Sequence, residues 1–244
     1  MLEATSGIIY VRAGLRPFTD HIKQAGGVIA FLRNSFPFDE ILVPHFLGAR
    51  PFWRPIPPLP KITKSGALGK MVADYPGAVI SKHPSHSFAG VGPRITDVLK
   101  LHDYKTSCFF PIAELAERYD FSMLLLACLK ESPGFSTVHA AQYKLGLSQK
   151  HLIRYLYKWD IDEGSGITPI NAREAPGCSA SFNKFYALYE KDGNLIRGDL
   201  LGQPYLFIKS ARQAMKSEND ILRRNPRFVD CGNMFCTTCG FRLY

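Results

Sequence analysis

The sequence predicts an α/β fold: a central, mostly parallel sheet flanked by helices in three layers. Three features carry this expectation. Strand-like and helix-like segments alternate along the chain, and strands joined through helices run parallel. The longest apolar stretch, "MLLLACL" (123–129), falls far short of the ~20 residues that span a bilayer and reads as a strand buried on both faces. A chain of 244 residues with 46% hydrophobic and 12% aromatic content can bury the core of one such domain.

The elements follow from period and punctuation. "GIIYVR" (7–12) is a first buried strand, "FTDHIKQAGGVIAFLRNSF" (18–36) is helical around a Gly-Gly interruption, and "DEILVPHFL" (39–47) is a second strand. The proline-dense span 50–66 is a loop, because each proline fixes φ and removes a donor. Helical spacing returns at 67–76, a short strand follows at 78–80, and amphipathic helices occupy 95–102 and 112–119. The strand "FSMLLLACL" (121–129) leads into the helix "STVHAAQYKLG" (136–146), opened by Ser136 or Thr137 as cap and closed by Gly146. The last third reads as a hairpin over 181–210 that turns at Asp192-Gly193, then a helix over 211–225. Residues 1–230 form one domain on this reading, and 231–244 a cysteine-bearing tail.

A formal net charge of +9 favours anionic partners by long-range attraction, but the basic residues are scattered, with only short pairs such as Arg223-Arg224. No nucleic-acid or membrane partner is expected. The N-terminus lacks a basic segment followed by an apolar one, and six cysteines in a chain this long make no disulfide scaffold, so a reducing cytoplasmic setting is expected.

Two segments carry the chemistry. "ISKHPSHS" (80–87) places His83, His86, Ser81 and Ser87 on a loop after a short strand, and "STVHAAQ" (136–142) places His139 where a strand turns into a helix, with Gln142 on the same helical face. From the residues alone His139 is either a half-buried imidazole satisfied by a carbonyl or a proton acceptor facing a ligand. His83 and His86 lack a third metal ligand.

The order and spacing of these segments, with "SGALGKMVADYPGAVISKHPSHSFAGVGPRI" (65–95) ahead of "PIAELAERYDFSMLLLACLKESPGFSTVHAAQ" (111–142), resemble the aminoglycoside 3-N-acetyltransferase family. That family carries an RS-x-HP-x-x-S segment and, after a buried strand, an nT-x-x-H-x-x-E segment. Its fold is not that of the common acetyltransferase superfamily. The resemblance extends to "SGIIYVRAGLRPF" (6–18), "DEILVPHF" (39–46) and "LRRNPRFVD" (222–230). It implies an acetyl-CoA-dependent N-acetyltransferase acting on a small-molecule amine, an amino sugar or aminoglycoside-like acceptor, by direct attack on the thioester. It further implies His139 as general base with Gln142 beside it, Arg12, Ala13, Ser81, Lys82 and Thr137 near the cofactor, and His83 and Ser87 at the acceptor. The sequence departs from the family pattern at three places: Arg12-Ala13-Gly14 stands for His-Ser-Ser, Ile80 for Arg, and Gln142 for Glu. Glutamine keeps the hydrogen bonds of that glutamate and drops its charge, which predicts a weaker pull on polycations. The alternative is a catalytically impaired relative that serves as a binding protein.

The tail holds Cys231, Cys236 and Cys239 in a C-x4-C-x2-C spacing that the family does not require. With Cys178 as a fourth ligand this set suits zinc; without metal the four are ordinary thiols. Cys108 and Cys128 read as core.

Overall fold

Burial on both faces explains the central strands. The structure, a computed structural model, describes residues 7–56, 63–131 and 133–243. Among these, the strands are β1 (Ile8–Ala13), β2 (Glu40–Pro44), β3 (Arg50–Pro51), β4 (Val79–Ile80), β5 (Phe88–Val91), β6 (Phe121–Leu126), β7 (Tyr157–Asp162), β8 (Ile167–Asn171), β9 (Leu195–Leu200) and β10 (Gln203–Ile208). The helices are α1 (Thr19–Gln24), α2 (Val28–Ser35), α3 (Gly66–Ala73), α4 (Pro93–Lys100), α5 (Phe110–Arg118), α6 (Thr137–Lys144), α7 (Tyr186–Lys191), α8 (Ala211–Arg224) and α9 (Thr237–Gly240). Along β1, Ile8 and Tyr10 enter one core while Ile9 and Val11 enter the other, and along β6 Met123 and Leu125 alternate in the same way with Leu124 and Leu126. The first core is covered by α4, α5, α6 and α8, through residues such as Val98, Leu115, Val138 and Ala214. The second is covered by α1, α2 and α3, through Ile22, Leu32 and Val72. Three layers result, as the sequence predicts.

The main sheet has the order β4-β5-β2-β1-β6-β10-β9. Its centre is parallel: β1 pairs with β2 on one side and with β6 on the other. β5 runs antiparallel to both β2 and β4, and β10 antiparallel to both β6 and β9, so β5 and β10 oppose the other strands. A second, antiparallel sheet has the order β3-β7-β8. Its first pair is fastened by Arg50, whose guanidinium meets the Asp160 carboxylate at 2.7 Å. β3 is thus an edge strand at the start of the proline-dense segment, where a proline costs no ladder bond. Residues 57–62 of that segment lie outside the described residues.

One expectation is corrected. The turn at Asp192-Gly193 closes a helix rather than a hairpin: α7 ends there, Gly193 takes φ 65°, and its amide donates to the Glu190 carbonyl. The hairpin follows at Leu201-Gly202, between β9 and β10. Neither β7 nor β8 is foreseen in the sequence. No helix among the described residues is long and apolar enough to cross a membrane.

Packing also places many imidazoles out of water. His45, His83, His86, His102, His139 and His151 all have pKa values below the ordinary 6.5, chiefly because burial disfavours the cation. The carboxyls of Glu174 and Glu218 are raised for the same reason, Glu218 to about 8. An imidazole that is neutral when folded contributes stability that is complete above pH 6.5 and is lost as pH falls toward its folded value. The two carboxyls, which burial makes readier to hold a proton in the folded than in the unfolded chain, oppose this above pH 4.5. Six groups against two decide the sign. The urea midpoint should fall steadily from pH 6.5 to pH 4; a midpoint that stays level or rises across this window contradicts the burial described.

Candidate active site

Two cavities lie near the carboxyl end of β2, beside the point where the strand order turns back at β1, which is where an open α/β sheet leaves a crevice. The smaller, about 330 Å³, is lined by Arg12 and Ala13 from the end of β1, Lys64 and Ser65 ahead of α3, Ser85, His86, Cys128 and Glu131. The larger, about 660 Å³, is lined by Ser81, Lys82, His83 and Pro84, with His45, Asp103, Tyr104, Asp160, Asp162 and Glu163. The chain between them serves both. Pro44, Phe46 and Gly48 face the smaller cavity, and His45 and Leu47 the larger.

The two differ in charge. In the smaller, the cations Arg12 and Lys64 stand against one carboxylate, Glu131. In the larger, Asp103, Asp162 and Glu163 join the Arg50-paired Asp160 against Lys82, while burial keeps His45 and His83 neutral. The smaller cavity suits an anion and the larger a cationic amine.

Close backbone approach shapes the smaller cavity. Arg12 and Ala13 pair with Leu125 and Leu126, and the Gly14 amide donates to the Leu126 carbonyl at 2.9 Å. A side chain on Gly14 would strike the Ala127 carbonyl. Ala127 itself takes φ 52°, a left-handed conformation that costs a non-glycine residue on the order of 1 kcal/mol. This turn brings Cys128 back over β1, where its Sγ meets the Arg12 carbonyl at 3.3 Å.

His139 stands on the first turn of α6, one ring behind that cavity. Phe109 stacks on it at 4.6 Å and packs against His86 at 5.5 Å; Phe182 meets the His139 ring edge-on at 4.6 Å. Neither cavity is lined by His139 itself. Burial lowers its pKa to about 3, the Gln142 hydrogen bond pulling less strongly the other way. The Gln142 amide satisfies its surroundings in one orientation: the nitrogen donates to His139 Nδ1 at 3.2 Å and to the Pro176 carbonyl at 3.0 Å, and the oxygen accepts from Arg242 Nη1 at 3.3 Å. With Nδ1 acting as acceptor, the ring proton sits on Nε2.

The residues expected at the site separate into groups. Arg12 and Ala13 line the cationic cavity, but Ser81 and Lys82 line the acidic one. The Ser81 hydroxyl is committed inward, accepting from the Phe88 amide and meeting His102 Nδ1, each at 2.9 Å. Thr137 is fully buried and donates to Glu218 at 2.6 Å, a carboxyl that Tyr189 also contacts. Ser87 donates to the His45 carbonyl at 2.5 Å, and His83 is buried between His102 and Trp159. Ser81 and Ser87 brace loops, and Thr137 ties α6 to α8. The expectation that His83 and His86 lack a third metal ligand is corrected: packing brings Cys108 to them, with one ligand atom of each residue within 4.8 Å of the others. Sequence reasoning missed the acidic run "DIDE" (160–163) and Arg242; the run is a visible signal, whereas an arginine in a tail gives none.

The four tail-associated cysteines do converge. The sulfurs of Cys178, Cys231, Cys236 and Cys239 all lie within 4.8 Å of one another, with Cys231 and Cys239 3.6 Å apart.

A sequence profile of the aminoglycoside 3-N-acetyltransferase family matches residues 50–223, or 174 of the 244 residues. Among solved structures, the chain is similar to the apoenzyme of the aminoglycoside acetyltransferase AAC(3)-IVa, with TM-score 0.75 and 18% identity over 98% of this chain and 91% of that one. It is similar also to AAC(3)-Xa, with TM-score 0.68 and 17% identity over 93% and 88%, and to AAC-IIIb in a binary complex with CoASH, with TM-score 0.65 and 16% identity over 91% of each chain. Identities this low establish the fold. No curated protein sequence matches. The profile match over most of the chain, on the fold those structures share, establishes the family: the chain belongs to the aminoglycoside 3-N-acetyltransferases and is an N-acetyltransferase.

Proposed function

We propose that the chain transfers an acetyl group from acetyl-CoA to an amine of an amino-sugar acceptor related to the aminoglycosides, with His139 as general base and no acyl-enzyme. The observation that carries this reading is the separation of charge across one stretch of chain, with cations in the smaller cavity and carboxylates in the larger. Coenzyme A phosphates would meet Arg12 and Lys64, and the cationic acceptor would meet Asp103, Asp162 and Glu163. The structural neighbours support both halves: AAC-IIIb was solved with CoASH, AAC-VIa with sisomicin, and a histidine-to-alanine mutant of AAC(3)-IVa with apramycin and with a gentamicin.

The acceptor amine attacks the thioester carbonyl carbon, so that a C–N bond forms and the C–S bond breaks. Its proton passes to His139 Nε2 and then to the departing sulfur. This requires a lone pair on Nε2, hence a proton on Nδ1, and Gln142 supplies the matching acceptor only when it turns its oxygen to the ring. Glutamine therefore attenuates the base. A carboxylate at 142 would hold the Nδ1 proton and raise the imidazole pKa toward the working range. The Phe109 ring, stacked on His139 and tilted against His86, stands between the two imidazoles.

Thiol release from acetyl-CoA in the presence of an aminoglycoside tests these assignments. His139→Ala should lower kcat/KM by about 10²–10⁴-fold, the span of a lost general base, and Gln142→Glu should raise it. Turnover that survives His139→Ala but is lost in His86→Ala would transfer the base to His86, the imidazole that lines the cavity. No thiol release with any cationic amine, and no binding of acetyl-CoA, would end the enzymatic reading.

A further inference from the structure

The sulfurs of Cys178, Cys231, Cys236 and Cys239 come from two segments far apart in sequence, and both segments reach the amide that contacts the catalytic candidate. Tetrahedral zinc with Zn–S bonds of about 2.3 Å holds its four sulfurs roughly 3.8 Å apart. The mutual limit of 4.8 Å, and the 3.6 Å between Cys231 and Cys239, fit one ion. An iron–sulfur cluster places its own atoms between the thiolates and would spread them farther. The backbone around the four is already fastened: Cys236 caps α9, its amide donates to the Asn233 carbonyl at 3.0 Å, and the Ala180 amide points at Cys178 Sγ at 3.4 Å. Amide donors to the sulfur are the outer contacts that thiolate–metal sites require.

From this cluster two arms extend. In one, Cys178 is preceded by Pro176 and Gly177, and the Pro176 carbonyl accepts from Gln142. In the other, Cys239 leads through α9 to Arg242, held on the body by the Phe241 carbonyl, which accepts from the Leu152 amide, and by the Leu243 amide, which donates to the Lys150 carbonyl. Arg242 is buried, approaches Asp230 at 3.7 Å and donates to Gln142. Gly177 joins the arms: it takes φ +94°, and a side chain there would strike the Arg242 guanidinium. The two partners that fix the orientation of Gln142 therefore belong to the two chain segments that the cysteine quartet brings together.

We propose that Cys178, Cys231, Cys236 and Cys239 bind one zinc ion, and that the closed site holds Gln142, through Pro176 and Arg242, in the orientation that keeps the His139 proton on Nε2. The metal site stands apart from the acyl-transfer reading; the consequence for catalysis rests on His139 being the base. Arg242 and Pro176 are positioning groups in this scheme. Loss of the ion loosens both arms, and Gln142 is then able to turn its oxygen to Nδ1.

The test uses the full chain, purified without chelator. About one equivalent of zinc per chain is expected, and cobalt(II) exchanged into the site should give the absorption of a tetrahedral thiolate complex. Less than about half an equivalent, both as purified and after incubation with zinc sulfate, overturns the metal site, as does zinc retained by a folded Cys236→Ser/Cys239→Ser variant. The ring is read by nitrogen NMR of His139. Zinc-loaded protein should show a protonated Nε2 and an unprotonated Nδ1; chelation of zinc from the wild type should shift both signals. Arg242→Met should give the same shift while keeping its zinc, which covers the case in which cysteine variants fail to fold. A His139 spectrum unchanged by both treatments overturns the coupling. Neither measurement involves turnover, so failure here and failure of the acetyl-transfer assignment are distinguishable.

Discussion

The parallel pairing of β1 with β6 is the constraint on which the site depends. Six residue pairs run in register from Ile8–Phe121 to Ala13–Leu126, and both faces of both strands are buried. Parallel strands buried in this way tolerate little but apolar side chains along their length. Polar chemistry is displaced to their carboxyl ends. There β1 delivers Arg12 to a cavity, and β6 passes through the strained Ala127 into the loop that leads to α6. Tyr10 of β1 meets Ser136 at the start of α6 at 3.2 Å, so the helix that carries His139 is referenced directly to the central strand.

On this frame the functional groups divide by charge rather than by sequence neighbourhood. The loop of the His-Pro segment passes from one cavity to the other within a few residues, Lys82 and His83 on the acidic side and His86 on the cationic side. The chain just beyond β2 does the same by alternation. On the proposed assignment, a cofactor and an acceptor of opposite charge would be kept apart up to the short wall between them, where transfer would occur. Gln142 is the second organising point. Its amide gathers His139, Pro176 and Arg242, and so relates the His139 ring to the body of the fold and to the tail at once.

Much of the fold is legible in the sequence because burial on two faces leaves a plain signature: "MLLLACL" can only be a strand between layers or part of a buried helix, and its length decides. The His-Pro and His139 segments are legible through their resemblance to the paired motifs of the family; from the residues alone His139 reads equally as a buried imidazole satisfied by a carbonyl. Direction is what the sequence withholds. Ser81, Ser87 and Thr137 have the chemistry of ligand contacts, yet each turns its hydroxyl inward to a backbone group, an imidazole or a buried carboxyl. Of the β7–β8 hairpin, β7 does alternate apolar and polar residues ("YKWDID") and offers a signal to sequence reasoning, whereas β8 ("ITPIN") carries a proline and half-exposed or exposed side chains and offers none. The spacing of the tail cysteines is visible, but the approach of Cys178 and the reach of Arg242 depend on the folding of segments more than fifty residues apart.

A crystal structure of the chain with coenzyme A and an aminoglycoside bound together measures the division of charge most directly. The phosphates are expected beside Arg12 and Lys64, the sulfur directed toward His86 and His139, and the amino groups among Asp103, Asp162 and Glu163. Coenzyme A seated in the acidic cavity, or an acceptor amine bound away from both imidazoles, would contradict that division.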